Sequence, residues 1–247
     1  MNPLFSIITV TFNSVKNLKH TVESVKCQTF SDYEYIIIDG ASSDNTLSFI
    51  DTVKTSCFKI LSETDEGIYD AMNKGLDLAK GEYVLFLNAG DTFHSNNILL
   101  KVADIVKEYN YPGIIYGQTR IVDENRKYLG ERHLDAPEVL SVESFSKGML
   151  VCHQAFFALR KITSPYNRKH RFSADYEWCI KCLQHSKKNV YIGDEPIIDY
   201  LAEGATTQNH FKSLMERFRI MTTYYGVTKT LGNHIQFIAR AFKRKIK

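Results

Sequence analysis

A chain of 247 residues has room for one or two domains and for a core that buries roughly three quarters of the unfolded surface, so it needs neither disulfide nor structural metal to fold. With 44% hydrophobic and 24% charged residues it is composed as a globular protein, and a net charge of +3 gives no ground for a nucleic-acid binder. That charge is unevenly placed. Eight Lys or Arg and no Asp or Glu lie in residues 217–247, so residues 1–216 hold 23 basic against 28 acidic side chains, a balance of −5.

The first half alternates short β-branched runs with amphipathic stretches. Residues 6–10 predict a strand, and Val15, Leu18, Val22 and Val25 recur at helical spacing after Ser14, a candidate cap. Residues 35–38 are apolar without alternation, as a strand covered on both faces would be. Asp44 is placed to cap a helix carrying Leu47, Ile50 and Val53. A strand follows at 58–61, a helix marked by Ile68, Met72, Leu76 and Ala79, a strand at 83–87, a helix marked by Ile98, Val102, Ile105 and Tyr109, and a strand at 113–116. This order predicts an α/β fold with a mainly parallel sheet and helices on both faces. Beyond Gly117 the pattern loosens into turns and short strands, including 190–192 and 197–198, with one clear helix at 174–185.

Apolar stretches such as 83–87 fall far short of the about 18 residues that cross a bilayer. No basic residue precedes Leu4-Phe5, and Thr9 and Thr11 interrupt the first apolar run, so no secretory leader is expected and the compartment is expected to be cytoplasmic. Cys179 and Cys182 form a C-x-x-C, but no second pair completes a zinc site, and they are expected to be buried as small apolar side chains.

In an open parallel sheet, ligands bind beyond the carboxyl ends of the strands. There the sequence places Thr9, Thr11 and Asn13, then Asp39-Gly40-Ala41-Ser42-Ser43-Asp44, then Glu63, Asp65 and Glu66, then Asn88-Ala89-Gly90-Asp91. Asp39, Asp65 and Asp91 on one rim repel one another unless a cation or a hydrogen-bonding ligand sits among them. Neither G-x-G-x-x-G nor G-x-x-x-x-G-K-[ST] occurs, which argues against a dehydrogenase and a P-loop NTPase. A phosphate ligand here would be neutralised by a carboxylate-held Mg²⁺ or Mn²⁺.

These segments resemble the family 2 glycosyltransferases with the Rossmann-like GT-A fold. Residues 6–13 (SIITVTFN) are similar to their opening strand, and 37–46 (IIDGASSDNT) to their second-strand motif. The run from Ser62 through Asp65 and Gly67-Ile68-Tyr69-Asp70-Ala71-Met72-Asn73-Lys74-Gly75 to Asp91 resembles a bacterial branch that builds capsule, exopolysaccharide or colanic-acid repeats. His153-Gln154-Ala155 and Ala174-Asp175-Tyr176-Glu177 fit the same branch.

The resemblance implies an inverting transferase that uses a nucleotide-sugar, expected to be a UDP-sugar, and a glycan or polyprenyl-diphosphate-linked acceptor. It implies Asp175 as general base and Asp39 and Asp65 on uracil and ribose, with Thr9 and Asn13 lining the base pocket. Asn73 and Lys74 would contact nucleotide or phosphate, and His153 and Gln154 the donor or acceptor sugar. Asp91 would ligate the metal, with Asn88 as a possible neutral partner, because the family's Asp-x-Asp reads Asn88-Ala89-Gly90-Asp91 here. Glu203-Gly204 stands where a pair of small residues is common in the family. The implied organisation is a transferase domain over 1–210, with a nucleotide-sugar half to about 117 and a less regular acceptor half from 118, then C-terminal helices over 211–247.

Two other functions compete. A sugar nucleotidyltransferase is disfavoured because Thr11-Phe12-Asn13-Ser14 is not the Gly-rich, basic loop that handles a triphosphate. A non-catalytic nucleotide-sugar or glycan-binding subunit is kept open by Asn88. In the tail, Phe211, Leu214, Phe218 and Met221 recur at helical spacing, as expected of a helix packed on the domain. Beyond Gly232, Ile235, Phe237, Ile238, Phe242 and Ile246 interleave with Arg240, Lys243, Arg244, Lys245 and Lys247, a pattern suited to peripheral attachment at an anionic inner leaflet.

Overall fold

The computed structural model describes residues 2–202 and 210–245, and leaves the side chains of 210, 211, 236 and 238–245 undescribed. Glu203 and Gly204 lie outside the described residues. The first half runs β1 (Phe5–Thr11), α1 (Val15–Lys26), β2 (Tyr33–Asp39), α2 (Thr46–Val53), β3 (Phe58–Ser62), α3 (Ile68–Leu78) and β4 (Tyr83–Phe86). Then come β5 (Thr92–Phe93), α4 (Ile98–Glu108), β6 (Ile114–Gly117), β7 (Thr119–Val122), β8 (Tyr128–Glu131) and β9 (Phe156–Leu159). The chain continues with α5 (Ala174–His185), β10 (Asn189–Ile192), β11 (Ile198–Leu201), α6 (His210–Tyr225) and α7 (Val227–Lys245).

Seven strands form the main sheet in the order β10-β6-β9-β4-β1-β2-β3. Every pair is parallel except those of β9, which runs antiparallel between β4 and β6. The expected mainly parallel sheet is therefore present, with one inserted strand that the sequence pattern did not reveal. A second sheet, β5-β11-β7-β8, stands beside it. Side-chain alternation along the strands splits the apolar residues between two layers. Phe5, Ile7, Tyr35, Ile37 and Leu85 meet Leu18, Val22 and Val25 of α1 and Leu99 and Val102 of α4. Ile8, Val10, Ile36, Ile38 and Phe86 meet Met72 of α3, Trp178 and Ile180 of α5, and Ile220 and Met221 of α6.

Local signals hold in part. Ser14 makes no side-chain capping bond. Asp44 serves two helix starts, its Oδ1 accepting from Thr46 N–H at 2.9 Å and its Oδ2 from Val15 N–H at 3.3 Å. Cys179 and Cys182 are free and buried, as expected. On α6, Met221 is buried and Phe218 packs edge-on against His234, but Leu214 is exposed because Ser213, Ile220 and Met221 form the inward face.

Candidate active site

The β1, β2 and β3 register pairs Thr11 with Asp39 and Asp39 with Ser62, so three strands end level and release their loops on one rim. Asp39 itself is fully buried. Its Oδ1 accepts from the Ser42 hydroxyl at 2.5 Å, and its Oδ2 from Ser42 N–H at 2.9 Å and the Ser62 hydroxyl at 2.7 Å. Asn13, at φ 46°, donates its N–H to Ser42 Oγ, and its Oδ1 accepts from Ser43 N–H at 2.8 Å. Asp39 and Asn13 thus set the shape of the 40–44 loop. Asp65 accepts from Gly67 N–H at 2.8 Å and presses on Gly40, where a Cβ would lie 2.6 Å from its Oδ2. Phe12, 62% exposed, flanks the same glycine.

Thr9, Asn73 and Lys74, expected at the nucleotide, are engaged by other elements of the fold. Thr9 is fully buried inside the sheet, its hydroxyl bonded to Leu87 C=O at 2.6 Å and to Tyr35 OH at 2.9 Å, so it lines no pocket. Asn73 spends both ends of its amide on the Tyr166 backbone, at 3.1 and 2.7 Å. Lys74 is held by Thr64 C=O and Glu63, each at 2.8 Å, and by Asp70, which keeps its ammonium charged and turned onto the 63–70 loop.

Asp175 lies in the first turn of α5 after Ser173. The Tyr69 hydroxyl donates to its Oδ1 at 3.0 Å, and His153 Nδ1 faces its Oδ2 at 3.5 Å. Burial alone would raise this carboxyl. His153, Arg217 and Tyr69 outweigh that and hold it below the ordinary carboxylate value, so it stays ionised. His153 Nε2 and Arg217 Nε are buried with no hydrogen-bond partner among the described residues. Behind Asp175, Tyr69, Tyr166 and Trp178 stack in series at 5.5 and 5.3 Å.

Gln154, expected at a sugar, donates to Asp91 Oδ2 at 3.0 Å and accepts from Cys152 Sγ at 2.6 Å. Asp91 Oδ1 accepts from Leu201 N–H at 3.0 Å. Burial pushes Asp91 up to about 6, against the opposing pull of Leu201 N–H, His153, Gln154 and Arg126. Asn88 Oδ1, at the other end of the same turn, is buried without a partner. An undercompensated carboxylate and an orphaned amide oxygen fit a hard divalent cation. Among the described residues no group of three His, Cys, Asp or Glu converges, so such an ion would need phosphate oxygens and water to complete its shell.

Residues 6–164 match the sequence model of Glycosyl transferase family 2. The chain belongs to glycosyltransferase family 2. It is 34% identical over 189 residues to a "PGL/p-HBAD biosynthesis glycosyltransferase" of Mycobacterium bovis, covering 74% of this chain and 71% of that one. The expected α/β GT-A fold is matched by solved structures. TarS of S. aureus, crystallised with UDP-GlcNAc, superposes with a TM-score of 0.74 at 19% identity, over 100% of this chain and 76% of that one. The mannosyltransferase PcManGT of Pyrobaculum calidifontis, in complex with GDP-Man and Mn²⁺, gives 0.61 at 12% identity, over 97% and 76%. The named relatives support the family but not specifically its capsule and colanic-acid branch.

Tyr69, Phe12 and Arg217 are the residues that the sequence did not single out for the site. Tyr69 sits inside a motif already recognised, where its spacing suits a core helix position. Arg217 comes from a helix 42 residues after Asp175 and leaves no local signal.

Proposed function

We propose that this family 2 enzyme moves a sugar with inversion from a UDP-sugar to a glycan or lipid-linked acceptor in cell-surface polysaccharide or glycolipid assembly. The observation that carries the reading is Asp175: a half-buried, ionised carboxylate held by the Tyr69 hydroxyl and by His153, with Tyr69 in the first turn of the helix that follows the Asp65 loop. A carboxylate so held accepts the proton of an acceptor hydroxyl while that oxygen attacks the anomeric carbon and the bond to the nucleoside diphosphate breaks. Base on one face and leaving group on the other means a single displacement. Asp65 and the Asp39-shaped loop hold uracil and ribose, and exposed Phe12 offers its ring to the base. Arg217 Nε is a donor available to a substrate oxygen, and His153 Nε2 is a second nitrogen without a hydrogen-bond partner among the described residues. Mg²⁺ or Mn²⁺, held through Asp91 and Asn88, would supply Lewis-acid charge to the departing diphosphate. UDP in the TarS complex and Mn²⁺ in PcManGT support these choices of donor and ion. A panel of UDP-sugars assayed with membrane extract as acceptor source tests the proposal: transfer from at least one is expected, and turnover of none would refute it.

A further inference from the structure

The C-terminal hairpin of α6 and α7 carries an apolar face that nothing described covers. On α7, Thr230 is fully buried, Asn233 donates to Ser146 C=O at 2.7 Å, and His234 packs edge-on against Phe218 at 4.9 Å. Phe237 joins the core, so one side of α7 is committed to the domain. Val227, Leu231 and Ile235 stand four residues apart on another side, 60%, 49% and 69% exposed. Leu214 and Met215 of α6 are each 42% exposed. Single exposed apolar residues are ordinary, but five on one hairpin are not. No helix among the described residues is long and apolar enough to cross a membrane.

Charge selects the occupant. From Arg217 onward the chain has eight basic and no acidic residues, and the spacing of Ile235 runs on in sequence to Phe242 and Ile246 among Arg240, Lys243, Arg244, Lys245 and Lys247. A protein partner of this basic segment would need matching carboxylates, whereas an anionic leaflet offers both acyl chains and negative charge in one surface.

The same hairpin is clamped to the head of α5. Ser213 bonds Ser173 hydroxyl to hydroxyl at 3.0 Å, Glu216 accepts from Phe172 N–H at 2.7 Å, and the Tyr224 hydroxyl donates to Glu177 at 3.2 Å. Arg217, on the same helix, acts on Asp175 itself. From this juxtaposition we infer that the exposed α6–α7 face docks on an anionic membrane and so brings Asp175 to an acceptor anchored in that membrane. The acceptor part of this inference rests on the proposed transferase activity; the docking part does not.

Flotation of the full chain with phosphatidylglycerol-containing vesicles, against phosphatidylcholine alone, separates the two parts. Binding to the anionic vesicles is expected to exceed that to neutral ones by roughly tenfold or more and to weaken with salt. The double variant L231S/I235S, which touches no site residue, is expected to lose roughly tenfold of that binding while keeping its melting temperature and its affinity for UDP. Three results would overturn the inference: no flotation of the wild type, a variant that floats like the wild type, or a concentration-dependent dimer abolished by L231S/I235S, which would assign the face to a second copy. Failure of the wild type to bind UDP in calorimetry would count against the transferase reading alone.

Discussion

Asp175 keeps its charge in a half-buried place because of its neighbours, and this dependence has a sign. Burial raises the carboxyl, and His153 is the foremost group that lowers it. In His153→Ala the burial remains and the main opposing partner is gone, so the acid limb of the pH dependence of kcat/KM is expected to move to higher pH; an unmoved limb would separate His153 from the base. Because the folded-state value is depressed, ionised Asp175 also contributes stability above its unfolded value of about 3.9, and that contribution is lost as pH falls through the lower folded value. The carboxylates at the rim were legible in the sequence because strand ends and short motifs announce them. The hydrogen-bond partners of Thr9, Asn73 and Lys74 were not, since they come from residues distant in sequence or from a neighbouring loop. Asn73, for example, answers to Tyr166, 93 residues away.

At the scale of elements, α3 links the fold to the site. It carries Tyr69 and Asn73 and lies on β1 and β2 through Gly75, where an added Cβ would come within 2.4 Å of Ile8 Cγ2 and 3.3 Å of Ile38 Cγ1. Gly75→Ala is expected to cost about 1–3 kcal/mol of stability by overpacking this seam, read as a lower urea midpoint with an unchanged slope. Parallel β1 to β4 and their helices were readable from periodicity, because each strand is apolar on both faces and each helix on one. β9 was not: its residues look like any buried strand, and its antiparallel place between β4 and β6 depends on the path of the 118–155 segment. The two-residue β5 and the exposed β8 are too short or too polar to signal themselves.

For the molecule as a whole, a modest net charge conceals an acidic body over residues 1–216 and a basic C-terminal hairpin tied to α5. The proposed ion would be held on the body by Asp91 and Asn88. UDP is therefore expected to bind roughly tenfold more tightly with Mn²⁺ than after chelation, about 1.4 kcal/mol, and Asp91→Asn to lose that gain; calorimetry that finds no difference would remove the metal from the mechanism. The central claim concerns Asp175, and transfer from a UDP-sugar by Asp175→Asn beside the wild type tests it most directly. The variant is expected to lose at least about a hundredfold in kcat while binding UDP as the wild type does. Undiminished transfer by Asp175→Asn would contradict the account.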